Sequence, residues 1–223
     1  MSQTILRVFR GKTVGEAVFS EYAVDGSRFR TVLDALEWIR GGVEPDLRYR
    51  HSCHHGSCGT CGALIDGVER LMCLSVLAEL GPGPVTVEPL RKMDELGDIA
   101  VDPQPLFREI PDSFGYVRES ELPHELPRED GRPYARMENC IECGLCVSAC
   151  PVREDFAGPA ALAAADRERE ERPQNRDAAL AFAARPEGVA ACRRHFACSR
   201  VCPLGVYPGR RIENLRKSLA DAR

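Results

Sequence analysis

No run of apolar residues in this 223-residue chain approaches the eighteen or so that a membrane-spanning helix needs, so the chain itself is expected to cross no bilayer. The opening MSQTILRVFR offers no apolar signal segment, and export is not expected. Positive charge is not in excess: 30 Lys and Arg stand against 34 Asp and Glu, a net charge of −4, which argues against nucleic acid as a partner. There is one tryptophan, Trp38, beside an apolar helical stripe, where a place in the core is expected. No internal repeat exists beyond two short cysteine runs. Cysteine is the residue in surplus. Eleven are present, an odd number that does not suit a disulfide framework, so free thiolates on the reducing, cytoplasmic side of the membrane are expected. The length suits two modest domains, and 43% hydrophobic residues are enough to give each a core.

The first cysteine run, CIECGLCVSACP, carries Cys140, Cys143, Cys146 and Cys150, closed by Pro151. This C-x2-C-x2-C-x3-C-P spacing is that of two-cluster iron–sulfur proteins, in which the fourth cysteine ligates the other cluster. A turn with a thiolate at every third position can hold three corners of one cubane, and Pro151 ends it because it offers no N–H. Zinc is the rival reading, but zinc favours paired C-x2-C knuckles over a triple run ending in Cys-Pro.

If Cys150 belongs elsewhere, a second run must supply a replacement. CRRHFACSRVCP does so, with Cys192, Cys198 and Cys202 before Pro203. On the same spacing its second position would be residue 195, and that residue is His195. Exchange of the last cysteines gives Cys140, Cys143, Cys146 and Cys202 around a [4Fe–4S] cluster. Cys150, Cys192 and Cys198 remain, and three thiolates hold three irons, so a [3Fe–4S] cluster is expected. The second reading has His195 ligating a fourth iron, since histidine replaces thiolate in some clusters.

The first ninety residues read mostly as strands. Thr4 to Phe9 and Ala17 to Val24 are rich in β-branched and aromatic residues. Thr31 to Arg40 follows with a helical stripe of Val32, Leu36 and Ile39, closed by Gly41 and Gly42. Then come Cys53, Cys58 and Cys61, and, after a hairpin turn at Asp66-Gly67, Cys73. C-x4-C-x2-C with a distant fourth cysteine is the plant-type pattern for a [2Fe–2S] cluster. Gly56, Gly59 and Gly62 let the backbone wrap closely, so that its N–H groups can face the sulfurs. His54 and His55 lie in the same loop, but four cysteines suffice. Val85 to Leu90 reads as the domain's last strand. Recurrent prolines from Pro103 to Pro133 mark a connector, with a short helix around Leu106. Helices are expected over Pro159 to Arg169, Asp177 to Arg185 and Arg210 to Ala222, the last presenting Ile212, Leu215 and Leu219 on one face. The expected fold is α+β: a plant-type ferredoxin (β-grasp) domain at 1–95, a proline-rich connector at 96–133, and an all-helical two-cluster domain at 134–223.

These three motifs in this order, with Phe156-Ala157-Gly158-Pro159-Ala160-Ala161-Leu162 after the first run, resemble the iron–sulfur subunit of succinate dehydrogenases and fumarate reductases over nearly the whole chain. The resemblance implies a flavoprotein partner with FAD, membrane-anchor subunits where quinone binds near the [3Fe–4S] cluster, and a peripheral position on the inner membrane. Electrons would pass between FAD, the three clusters and quinone, with no dicarboxylate site on this chain. Ubiquinone-reducing members carry tryptophans where this chain has Glu154 and Asp155, and a histidine where it has Arg193. Pro151, Arg193 and His195 are placed near the quinone by position alone. A soluble fumarate reductase or related flavin dehydrogenase without quinone is the alternative.

Overall fold

The computed structural model describes residues 3–11, 18–114 and 140–221, so the connector beyond residue 114 and the expected domain start at Tyr134 lie outside the described residues. Strands β1 (Gln3–Arg10) and β2 (Val18–Asp25) pair antiparallel from Gln3 opposite Asp25 to Arg10 opposite Val18. Strands β3 (Gly62–Ile65) and β4 (Val68–Leu71) form a hairpin. Its two turn residues, Asp66 and Gly67, both have positive φ, 51° and 75°, as the tight two-residue hairpin turn demands. Strand β5 (Val85–Glu88) runs between them, parallel to β1 and antiparallel to β3, giving the order β2-β1-β5-β3-β4.

Helix α1 (Val32–Gly42) lies on this sheet, burying Val32, Leu33, Ala35, Leu36 and Ile39 in one core with Leu6, Val8 and Val87. Its start is fixed by a reciprocal cap. The Asp34 amide donates to Thr31 Oγ1 at 3.2 Å, and the Thr31 amide donates to Asp34 Oδ2 at 2.9 Å. Thr31→Ala is expected to lower stability by about 1 kcal/mol in a denaturant titration. The helix continues through Gly41 and Gly42. Trp38 is not in the core: it sits on the flank of the buried stripe, 37% exposed, with its ring against Phe29. Its neighbours at positions 35, 36 and 39 take the sheet-facing positions, and helical periodicity turns residue 38 outward.

A second hairpin, β6 (Asp94–Gly97) with β7 (Ala100–Asp102), follows β5. The buried Asp98 at its tip accepts hydrogen bonds from the backbone amides of Gly11 and Arg48 and from Arg10 Nε. Helix α2 (Gln104–Phe107) then buries Leu106. From residue 140 the described elements are helices and single turns: α3 (Leu145–Ala149), α4 (Gly158–Glu171), α5 (Arg176–Ala184), α6 (Ala197–Arg200) and α7 (Pro208–Asp221). Helix α4 is buried without interruption from Pro159 to Glu168, which its run of small alanines permits. Ile212 and Leu215 of α7 are buried against α4 and α5, with Leu219 partly buried beside them, so this face packs on its own half of the chain.

The two halves share a core. Leu145 and Ala160 belong to the same buried cluster as Leu6 and Val87. At the seam, a Cβ on Gly59 would lie 2.3 Å from Ile141 O, and one on Gly62 would lie 3.0 Å from Cys143 O. Only glycine at these two positions lets the first cysteine loop touch the second without a side chain between them.

Candidate metal centres

The first centre lies on the loop between α1 and β3 and on the turn after β4. Positive φ at His54, Gly56 and Gly59 curls the loop so that its amides point inward. Ser57 N and Cys58 N donate to Cys53 Sγ at 3.2 and 3.3 Å. Such donors, the His55 amide foremost, pull the Cys53 thiol down to about 6, so the loop is shaped for an anionic sulfur before any metal arrives. Cys61 and Cys73 are buried, with their sulfurs 3.3 Å apart, and burial pushes the Cys61 thiol up to about 12. Bound iron supplies the positive charge that ionises such a thiol, and the arrangement fits a cluster with two buried and two half-buried ligands.

His51 and His54 do not approach these sulfurs as ligands. Together with Glu37 they form a separate group, with His51 Nδ1 at 3.4 Å and His54 Nε2 at 3.5 Å from Glu37 Oε1. Arg40, which can only donate, lies 2.9 Å from His51 Nε2 and so assigns that nitrogen as acceptor. The Nδ1 atom of His51 then carries the proton and faces Glu37, which does not suit a metal. His55 Nδ1 approaches its neighbour's carbonyl, Cys53 O.

The second centre is an apolar cavity lined by Cys140, Cys143, Cys146 and Cys202, with Leu106, Leu145, Ala160 and Ala163. Cys143 is pushed up to about 12 by burial, with Cys140 and Cys202 among the charges adding to it. Cys146 is raised well above its usual range by burial, and its charged neighbours include Cys198 as well as Cys140, Cys143 and Cys202. A third cavity holds Cys150, Cys192 and Cys198 beneath Phe156, Pro159 and Ile212. Burial raises the Cys198 thiol to about 11, with Cys150 and Cys192 as its charged neighbours. The last cysteine of each run therefore lies in the other run's cavity. Enclosed pockets lined by several cysteines and otherwise mostly by apolar side chains fit iron–sulfur clusters, whose iron ionises the thiols it binds.

The two runs share a backbone. In the first, Glu142 and Gly144 have φ of 53° and 76° on either side of Cys143, and α3 follows. In the second, Arg194 and Phe196 have φ of 57° and 56° on either side of His195, and α6 follows. Amides one turn into α3 and α6 return to the Gly144 and Phe196 carbonyls, respectively. His195 thus stands where Cys143 stands, although phenylalanine and arginine are disfavoured in that conformation.

Residues 5–108 match the family described as a 2Fe-2S iron-sulfur cluster binding domain, and residues 136–206 match the 4Fe-4S dicluster domain. The chain is 33% identical to a fumarate reductase iron-sulfur subunit of Mycobacterium tuberculosis, over 99% of this chain and 94% of that protein. It belongs to the family of iron–sulfur subunits of fumarate reductase and succinate dehydrogenase. The Escherichia coli fumarate reductase iron-sulfur subunit is 31% identical over 90% of this chain and 85% of its own length. A chain of the Mycobacterium smegmatis Sdh1 complex in the apo form superposes with a TM-score of 0.71 at 27% identity, covering 99% of this chain and 97% of that one.

The subunit is an electron-transfer component of this oxidoreductase family, with a 2Fe-2S domain followed by a 4Fe-4S dicluster domain. Among its described residues no helix is long and apolar enough to cross a membrane. Pro151, Arg193 and His195 are all exposed and line the mouth of the third cavity together. Arg194 beside them is held by Glu213 through two hydrogen bonds of 3.0 Å, and Arg200 donates to the His195 carbonyl. Sequence reasoning missed Lys92. It lies in an unremarkable turn after β5, yet its Nζ donates to the carbonyls of Cys150 and Val152.

Proposed function

We propose that this subunit carries electrons between the FAD of a flavoprotein and quinone at membrane-anchor subunits, in a succinate:quinone oxidoreductase or quinol:fumarate reductase of the complex II type. The observation that carries this reading is the exchange of Cys150 and Cys202 between two cavities. It supports a [4Fe–4S] cluster on Cys140, Cys143, Cys146 and Cys202 and a [3Fe–4S] on Cys150, Cys192 and Cys198, while the sulfur contacts of the first loop support a [2Fe–2S] on Cys53, Cys58, Cys61 and Cys73. When bound, such clusters supply reversible one-electron storage at graded potentials. The chain's own residues shelter the sulfurs, hold their spacing across the Gly59 and Gly62 seam, and exclude water with Leu106, Leu145 and Phe156.

The sheet with α1 laid upon it suits a β-grasp domain at 1–95 and the helices after residue 140 suit a helical dicluster domain at 134–223, with the start of the connector at 96–133 packed on the first half through Asp98 and Leu106. Pro151, Arg193 and His195 face outward at the third cavity, so the anchors and quinone would meet the chain there, at the cytoplasmic face of the inner membrane. No residue of this chain is assigned to the dicarboxylate. Purifying the native complex through a tag on this chain is expected to bring down a flavoprotein and hydrophobic anchors, with succinate-dependent quinone reduction or its reverse. A purified chain with cluster spectra but without flavin would overturn the reading.

A further inference from the structure

Lys92 belongs to the sheet-bearing half of the chain but acts on the far half. It occupies the turn between β5 and β6 with a positive φ of 61°, which aims its partly buried side chain across the seam. There its Nζ donates to Val152 O at 2.7 Å and to the carbonyl of Cys150 itself. The chain leaves helix α3 at Cys150 in an extended conformation, and Pro151 has no N–H, so these carbonyls stand outside any helical ladder.

The neighbouring residue shows what an ordinary clamp looks like. The Arg91 amide donates to Ser148 Oγ, Ser148 Oγ donates to Glu69 Oε1, and the Arg91 guanidinium pairs with the same carboxylate. Arg91 is thus neutralised. Lys92 forms no ion pair with a carboxylate among the described residues; of the charged groups around it besides Cys150, Arg153 bears the same sign, and Glu69 is already held by Arg91 and Ser148. A cation withdrawn from water and aimed at two carbonyls is favourable only where negative charge lies close behind them. Behind Cys150 are its own sulfur and those of Cys192 and Cys198.

We propose that Lys92 is a positioning residue that raises the reduction potential of the three-iron centre by holding its ammonium against the backbone of the Cys150 ligand. The inference rests on the assignment of Cys150 to that centre. A reduced cluster carries one more negative charge than an oxidised one, so a fixed cation nearby stabilises the reduced form and favours acceptance of the electron. The [2Fe–2S] loop belongs to the same half as Lys92 but holds neither of the carbonyls its ammonium touches, and serves as an internal reference.

The test is a redox titration of the intact purified complex followed by electron paramagnetic resonance. Lys92→Met is expected to lower the midpoint of the three-iron signal and leave that of the [2Fe–2S] signal unchanged. Lys92→Arg, which restores the cation, is expected to return it toward the native value. Should Lys92→Met fail to retain the three-iron signal, Lys92→Gln keeps a donor without the charge and is titrated instead. An unchanged midpoint in a variant that retains the signal overturns the proposal and leaves Lys92 as a clamp like Arg91. Loss of the three-iron signal in both neutral variants, with the other two clusters intact, overturns it in the same way. A shift confined to the [4Fe–4S] signal would instead overturn the assignment of Cys150, since the charge would then act on the other cluster.

Discussion

His195→Cys is expected to abolish the three-iron signal of the air-oxidised protein and to raise its bound iron by about one atom per chain, as a fourth thiolate completes a second cubane. The expectation comes from backbone geometry as well as from spacing. Glu142 and Gly144 bracket Cys143 in the left-handed conformation, and Arg194 and Phe196 bracket His195 in the same way. Each bracket runs into a short helix that carries the next cysteine, Cys146 on α3 and Cys198 on α6. A thiolate at position 195 would therefore project as that of Cys143 does. An oxidised three-iron cluster is paramagnetic, whereas an oxidised cubane is silent, so the resonance reads the change directly. The opposite result is equally clear. If His195 already ligates a fourth iron, the native oxidised protein is silent, and the substitution leaves the iron content unchanged. The substitution also bears on function, because a cubane in this cavity would be harder to reduce and less suited to exchange with quinone.

The cysteines were legible because metal ligation fixes sequence spacing tightly, and exchange between the runs left Cys150 and Cys202 one destination each. The hairpin at Asp66-Gly67 and the stripe of α1 were legible for a similar reason: both are local, and local chemistry determines them. What could not be read was non-local. Nothing in VTVE announces that β5 inserts between β1 and β3, parallel to one and antiparallel to the other. That placement follows from the path of the whole chain. The burial of Gly59 and Gly62 against Cys143 was visible only as a surplus of glycine, and its cause lies some eighty residues away. Lys92 carried no signal at all, since a lysine in a turn is ordinary until the partner of its ammonium is known. Trp38 was misplaced because size and hydrophobicity suggest a core position even one step off the buried stripe.

Asp166→Ala is expected to cost about 3–5 kcal/mol, the range for removing one member of a buried charged network. Asp166 has no exposed surface and lies on α4. Its Oδ1 accepts from Arg169 Nε at 2.9 Å, and its Oδ2 accepts from Arg211 Nη1 at 3.3 Å and Asn214 Nδ2 at 3.2 Å. The last two lie on α7, so the Asp166 carboxylate ties α7 to α4 at two points. The two arginines have a second acceptor in Glu170, but that carboxylate is 42% exposed and holds them in water's competition. Asp166→Asn preserves the shape and one acceptor, and should cost less. The consequence for the clusters follows from where the two helices sit. Ala160 and Ala163 of α4 and Pro208 of α7 line the [4Fe–4S] cavity, while Pro159 of α4 and Ile212 of α7 line the third. Loosening this helix pair opens both cavities without touching the loop of Cys53, Cys58 and Cys61. Denaturant titration of Asp166→Ala, followed by cluster absorbance and resonance, should therefore show the [4Fe–4S] and three-iron signals lost at lower denaturant than the [2Fe–2S] signal. Simultaneous loss of all three would mean that the shared core around Leu145 and Ala160, and not the α4–α7 tie, governs how the clusters are retained.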